Sequence, residues 1–220
     1  QALSPGMNVP CAGGMITPSD GRAEPFVAVP ALARAARARG VTIIENCAVR
    51  TIEREAGEVT AVVTEQGRIR TGAVVLAGGA WSTYFAANAG FDLPQLMVRS
   101  TVGRTNAFDG EDLANIATHG FAIRKRADGG YTISTGDLAE HYIAPSSFRF
   151  FAKFLTLMKV SAKDLKMKIG PPPGYPGSWG SKSRWGPDDV SPFESMRVLN
   201  PPPADIVRKR LEERLPQRVP

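Results

Sequence analysis

Cysteine and histidine are nearly absent from this 220-residue chain, which has only Cys11 and Cys47, His119 and His141. Two distant cysteines make no disulfide framework. With no CxxC pair and no His/Cys cluster at ligand spacing, no metal site is expected. No apolar run approaches the roughly 18 residues that a spanning helix needs. Residues 1–16 lack a basic start followed by an apolar stretch, so no secretory leader is read there. The expectation is a cytoplasmic protein with no membrane partner. Neither GxGxxG nor GxxxxGK[ST] occurs, which excludes a complete dinucleotide fingerprint and a P-loop.

Lysine is missing from residues 1–110, where ten arginines face nine acids. Residues 111–220 carry seventeen basic and twelve acidic residues, so nearly all of the net charge of +6 lies there. Between Arg149 and Arg184 stand eight basic residues and one acid, Asp164. Such a stretch is either a solvated basic face or a surface for an anionic partner, a nucleic acid or another subunit. With 43% hydrophobic and 22% charged residues, the chain has an ordinary globular composition, which rules out disorder of the whole.

Residues 1–25 are rich in proline and glycine and read as loop, with one short strand at 15–17. Residues 26–39 form an amphipathic helix with Phe26, Val29, Leu32, Ala33 and Ala36 on one stripe, entered through Pro25 and stopped by Gly40. Residues 41–45 read as a strand. Residues 47–53, 58–65 and 68–70 read as an antiparallel β-meander, with turns at Ala56-Gly57 and Gln66-Gly67. Residues 73–77 are apolar throughout, the pattern of a parallel strand buried on both faces. A helix follows from Trp81 to Asn88. Further along, 95–105 read as a long strand, 121–126 with 130–135 as a hairpin, 147–160 as a helix, 171–203 as an irregular loop with nine prolines, and 204–215 as a closing helix. The fold class is α/β.

The turn after residues 73–77 is Gly78-Gly79-Ala80-Trp81. Ligands of open α/β sheets sit beyond the carboxyl ends of strands, and glycine there lets a backbone approach them closely. The other reading is a strand–helix turn that needs glycine for its own geometry. Trp81 reads as a helix-start core aromatic or as a ring stacked on a ligand. Arg99 and Arg104 read as strand-edge arginines or as holders of a substrate carboxylate. His119 and His141 read as surface or loop residues, and Phe148, Phe150, Phe151 and Phe154 as helix packing.

The ordered motifs resemble the D-amino-acid oxidase superfamily of flavoproteins, which includes glycine oxidase and sarcosine oxidase. Gly13-Gly14-Met15-Ile16 followed by Asp20-Gly21-Arg22-Ala23-Glu24-Pro25 is similar to the family's entry into a helix. Ala35-Ala36 through Gly40-Val41-Thr42-Ile43 is similar to its helix-to-strand junction. Val74-Val75-Leu76-Ala77-Gly78-Gly79-Ala80-Trp81 resembles its strand and turn beside the flavin. Leu93-Pro94 with Val98-Arg99 resembles the crossing into the substrate domain, and Ser191-Pro192-Phe193-Glu194 with Arg197-Val198-Leu199 resembles a segment of dehydrogenase-like members.

The resemblance implies FAD as cofactor and Val49, Ala77, Gly78, Gly79 and Trp81 as cofactor-binding residues. It implies part of a Rossmann-like FAD-binding domain over 20–93 and an α+β substrate domain over 94–220, to which the loop or strand of 1–19 belongs. The activity implied is oxidation of the C–N bond of an amine or amino acid by hydride transfer to the flavin. The family's opening GxGxxG and closing flavin-site segments do not occur here, so the chain reads as a central piece, inactive alone, whose catalytic residues lie elsewhere. Expected partners are a small amine or amino-acid substrate and, in a homodimer, a second copy. One variant of this reading takes a hydroxy acid as substrate. An alternative of another class is a non-catalytic basic module that binds RNA or an acidic partner through residues 149–184.

Overall fold

The computed structural model describes residues 7–8, 11–107, 114–160, 163–172 and 175–219. In chain order the elements begin with α1 (Pro25–Ala38), β1 (Val49–Glu55), β2 (Glu58–Thr64), β3 (Gly67–Arg70) and α2 (Ser82–Asn88). Strands β4 (Val102–Arg104), β5 (Ile116–Thr118), β6 (Phe121–Lys125), β7 (Tyr131–Ser134) and β8 (Ala139–Tyr142) follow. The remainder comprises α3 (Pro145–Arg149), α4 (Phe151–Val160), β9 (Leu165–Lys168), α5 (Pro192–Ser195) and α6 (Asp205–Arg218). The chain divides into two compact units.

The first unit holds residues 1–43, 100–139 and 202–220. Its sheet is antiparallel in the order β4-β7-β6-β5. Alternation along β6 and β7 turns Phe121, Ile123, Tyr131 and Ile133 into the core, where Val207 and Leu211 of α6 meet them. Burying a side chain the size of Phe121 contributes about 1.5–3 kcal/mol. The β6–β7 turn is closed by Arg126, which is buried yet satisfied. Its guanidinium donates to the Thr105 carbonyl (2.9 Å), the Tyr131 carbonyl and the Asp128 carboxylate (2.9 Å). Helix α1 starts at Pro25 as the sequence predicts, but none of its residues is buried, and Phe26 is 83% exposed. Its apolar stripe is mostly open, with Arg104 over the Phe26 ring at 5.8 Å and Ala33 and Ala36 half-buried.

The second unit holds residues 44–99 and 140–201. The meander forms as predicted, in the order β1-β2-β3. Its first turn places Ala56 and Gly57 both at positive φ (50° and 88°), the twist that suits a two-residue hairpin. Ala61 and Val62 of β2 are buried. Helix α2 packs against β1. Strands β8 and β9 make a separate two-stranded sheet. Phe85, Tyr142, Phe150, Tyr175 and Trp185 are buried in this unit.

Several expectations fail. Residues 73–77 are not a buried strand: they form no regular element, with Val75 91% exposed. A parallel strand exists only through its neighbours, and no described strand lies beside this one. Residues 41–45 likewise form no strand, and 15–17 none. Of 95–105 only β4 is strand, with one isolated bridge from Arg99 to Glu140. The helix expected over 147–160 is two helices, broken at Phe150, whose φ and ψ (−113°, 16°) leave the helical region. The irregular stretch 171–203 is as expected except for the short α5 and its positions 173–174, which lie outside the described residues. Strands β5, β8 and β9 were not expected.

Candidate functional site

The glycine turn sits in the second unit. Gly79 has φ +55°, a conformation that side-chain-bearing residues adopt at a cost, and a Cβ built there would meet nothing within 4 Å. Gly78 is at ordinary φ, and a Cβ there would lie 3.3 Å from the Ser82 hydroxyl. The chain then tightens into a 3₁₀ turn over Gly79–Trp81 and runs on into α2. Ala77, Gly78 and Gly79 are all exposed. The turn therefore presents open backbone that an extended group can approach.

Trp81 is half-buried and belongs to an aromatic cluster centred on Phe193. Trp81, Phe85 and Trp185 lie 5.3, 6.1 and 5.2 Å from that ring, and Tyr84 lies 6.3 Å from Trp81. These edge and tilted geometries are the favoured ones for aromatic pairs. The Trp81 indole Nε1 is buried with no hydrogen-bond partner among the described residues. A cavity of about 370 Å³ opens beside it, lined by Trp81, Tyr84, Tyr175, Lys182, Ser191 and Met196.

Val49 opens β1 opposite Thr64, and the register slips between Val49 and Thr51. The slip is a bulge at Arg50, which re-aims its side chain. Arg50 forks onto Glu194 at 3.0 and 2.9 Å. Glu194 also accepts from the Ser191 backbone and hydroxyl (2.8 and 2.9 Å), a capping box on α5. A second fork joins Arg197 to Glu65 (2.6 Å at each oxygen), and Glu65 also accepts from the Ala48 amide. Trp185 donates from its indole to the Arg50 carbonyl (2.7 Å) and exchanges hydrogen bonds with Asn88 of α2 (both 3.1 Å). The segment 185–197 thus clamps β1, which Val49 opens, and α2, which the glycine turn leads into.

The Arg50 guanidinium holds Glu194 at about 2, and the Arg197 guanidinium with the Ala48 amide holds Glu65 at about 2, against an ordinary 4.5. A depressed carboxylate contributes stability that is complete above its unfolded value and fades as pH falls toward its folded one. The second unit should therefore lose stability between pH 4.5 and 2. In Arg197→Gln that acid-dependent part should shrink. Denaturant midpoints at a series of pH values check this; an unchanged pH slope in the variant would refute the Glu65 link.

Arg99 is neither a solvated strand-edge residue nor open to a substrate. It is largely buried and paired with Glu140, with Nε 2.9 Å from the carboxylate, and lies over the Tyr142 ring. Arg104 is exposed in the first unit, paired with Asp128 (3.2 Å). His119 is exposed as expected, but His141 is buried, held by the Met97 carbonyl (2.7 Å) and the Ser147 hydroxyl (2.8 Å). Burial also pushes the Tyr175 phenol up to about 12. Among the described residues no cluster of three or more metal-ligating side chains occurs.

The profile of the DAO family, FAD dependent oxidoreductases, matches residues 1–217. The chain belongs to this family. Mouse mitochondrial sarcosine dehydrogenase is 34% identical over 136 residues, 59% of this chain and 15% of that protein. The 4-methylaminobutanoate oxidase (formaldehyde-forming) of Paenarthrobacter nicotinovorans is 36% identical over 99 residues, 45% of this chain and 12% of its own length. Among solved structures, an L-amino acid deaminase from Proteus vulgaris superposes with a TM-score of 0.75 at 30% identity, covering 86% of this chain and 44% of the deaminase. The Proteus myxofaciens L-amino acid deaminase, solved in complex with anthranilate, gives 0.75 at 34% identity over 89% and 43%. The chain thus spans less than half the length of these relatives. A DAO-family chain with this turn leaves the non-catalytic basic module without support as its function. What the sequence did not reveal is the clamp: Arg50, Glu65 and Trp185 carry no local signal, and the motif that holds Ser191, Glu194 and Arg197 gives no sign of their partners on β1 and beside β2.

Proposed function

We propose that this chain carries part of the flavin and substrate apparatus of an enzyme that oxidises the C–N bond of a small amine or amino acid. The observation that supports it most directly is the exposed Ala77-Gly78-Gly79 turn, with Gly79 at positive φ and open space over it, in a chain of the DAO family. The names of the relatives all point to one substrate class: sarcosine, a methylaminobutanoate, L-amino acids. FAD supplies the acceptor for a hydride leaving the carbon that bears the nitrogen. In this reading Ala77, Gly78 and Gly79 lay backbone against the cofactor without side chains in the way. Val49 offers backbone at the start of β1. Trp81 holds the turn through the Phe193 cluster, and its buried indole N–H has no partner among the described residues. The Arg50–Glu194 fork and Trp185 keep β1 and α2 in place.

The test is anaerobic photometry of the flavin-loaded protein. Mixing with sarcosine, a longer N-methylated amine and amino acids of both hands should bleach the visible flavin band with at least one of them, and a 2-hydroxy acid should not. Bleaching by the hydroxy acid alone would replace the substrate class. The protein tested is the full-length enzyme that contains this chain; if that enzyme took up no flavin at all, the reading would be overturned.

A further inference from the structure

The second unit holds a serine and a histidine that the proposed oxidation does not use. Arg99 and Glu140 exchange backbone hydrogen bonds (2.7 and 2.9 Å), and this bridge lays Met97 alongside β8, which carries His141. Ser147 stands in the short helix α3 that follows. His141 Nδ1 lies 2.7 Å from the Met97 carbonyl, and Nε2 lies 2.8 Å from the Ser147 hydroxyl. A carbonyl oxygen can only accept, so in the neutral imidazole Nδ1 carries the proton and Nε2 is the acceptor. Ser147 then gives its one proton to Nε2. The Tyr175 hydroxyl donates to the same Met97 carbonyl (3.2 Å) and so steadies the group that orients the imidazole.

A helix cap asks for less than this. The Ala144 amide donates to the Ser147 oxygen (3.0 Å), and that bond alone closes the capping box of α3. A nucleophile, a base within hydrogen-bond reach and a third group that orients the base are the parts of nucleophilic catalysis. Both side chains also line a cavity of about 150 Å³, whose other walls include Leu96, Phe148, Phe151 and Met158. A space of this size takes an apolar group of about the bulk of benzene. Among the described residues no Asp, Glu, Lys or Arg lines it, so it suits a neutral group and not an ion.

We propose that Ser147 and His141 form a nucleophile–base pair that hydrolyses neutral esters with a short apolar acyl group, which the cavity receives. Ser147 Oγ attacks the ester carbonyl carbon, and its proton passes to His141 Nε2. The bond from that carbon to the alcohol oxygen breaks, and Nε2 gives the proton to the leaving oxygen. Water then attacks the acyl-serine and loses a proton to Nε2, which returns it to Oγ as the carboxylic acid departs. The step needs no oxidant and no metal. The Ala144 N–H, already 3.0 Å from Oγ, is a donor beside the reacting centre. A single donor, where a full oxyanion hole has two, predicts slow turnover.

The experiment uses the full-length enzyme that contains this chain, with p-nitrophenyl butyrate as the ester and an alkyl fluorophosphonate as the trap. The butyrate should be hydrolysed above a buffer blank and faster than the palmitate, whose chain outgrows the cavity. The fluorophosphonate should form a bond to Oγ with loss of fluoride, and peptide mass mapping should place that adduct on Ser147. General-base catalysis is worth about a hundredfold or more, so His141→Gln should lower hydrolysis at least about a hundredfold and suppress the adduct. Ser147→Ala should lower hydrolysis as far, while Ser146→Ala, at the neighbouring serine, should keep the parent rate. Ser147→Ala also removes the α3 cap, so circular dichroism accompanies it; the adduct on the parent enzyme depends on no variant. A purely structural Ser147 would give no adduct, and that result overturns the proposal. So would an adduct on another residue alone, hydrolysis no faster than the blank, palmitate cleaved as fast as butyrate, or an unchanged rate in His141→Gln.

Discussion

Alanine at position 177 should lower the stability of the second unit by about 3 kcal/mol. Gly177 has φ +68°, and the left-handed region costs a residue with a Cβ roughly 1–2 kcal/mol. That is the smaller part. A Cβ built there would overlap the Tyr84 hydroxyl and the ring carbon that bears it. Tyr84 cannot simply swing away: its hydroxyl donates to the Pro176 carbonyl (3.2 Å) and lies 3.3 Å from the Ser146 hydroxyl. Burial also pushes its phenol pKa up, the mark of a group drawn out of water. Overpacking a site of this kind costs typically 1–3 kcal/mol. All three tryptophans, Trp81, Trp179 and Trp185, lie in this unit, so indole fluorescence in a denaturant titration reads it directly. The midpoint should fall while the slope stays the same. Tyr84→Leu, which empties the space, should make Gly177→Ala much less costly in the double variant than alone, a coupling between touching residues. A midpoint in Gly177→Ala equal to that of the parent would mean the 175–181 segment does not pack on Tyr84.

What the sequence discloses tracks how local each structure is. The meander was legible because Val59, Ala61 and Val63 alternate with Thr60, Val62 and Thr64 and because the turns between strands carry glycine. The β6–β7 hairpin and helices α1, α2 and α6 were legible for the same kind of reason. Residues 73–77 misled because apolarity along a segment records the surroundings it is suited to, and those surroundings are other strands. Strands β8 and β9, Ala139–Tyr142 and Leu165–Lys168, escaped because half of their residues are charged or polar and they pair across more than twenty positions. The candidate site divides in the same way. The backbone of Gly79 was legible, since a turn between a strand-like run and a helix has a local vocabulary, and its positive φ is what that vocabulary implies. The Arg50–Glu194 fork was not, because its partners stand 144 positions apart. Trp185 and Phe193 lie in a proline-rich stretch that reads as irregular, which it is; irregular backbone nonetheless supplies the aromatic centre that holds β1 and α2 together.

In the full-length enzyme that contains this chain, valine at position 79 should leave the protein folded and cost it its flavin. The fold is expected to survive because residue 79 is exposed, a Cβ there meets no protein atom within 4 Å, and neither the meander nor the Phe193 cluster packs on it. The local penalty is that of a β-branched residue at φ +55°, above about 1 kcal/mol. Valine relieves that strain by moving φ to negative values, which redirects the backbone of the 3₁₀ turn. In either conformation two methyl groups occupy the space over the turn that the proposed site leaves for the cofactor. Flavin content, read as the ratio of visible flavin to protein absorbance after desalting, should fall at least about tenfold at limiting FAD, since a displaced close contact of more than 1.4 kcal/mol is worth that much. Arg34→Ala, on the exposed side of α1 in the other unit, should keep the parent ratio. Far-ultraviolet dichroism and the indole unfolding midpoint should stay near the parent in both variants, which separates loss of the cofactor from loss of the fold. If Gly79→Val kept full flavin, the glycine would serve only the geometry of the turn, and Ala77, Gly78 and Gly79 would leave the proposed site while the family membership of the chain stood unchanged.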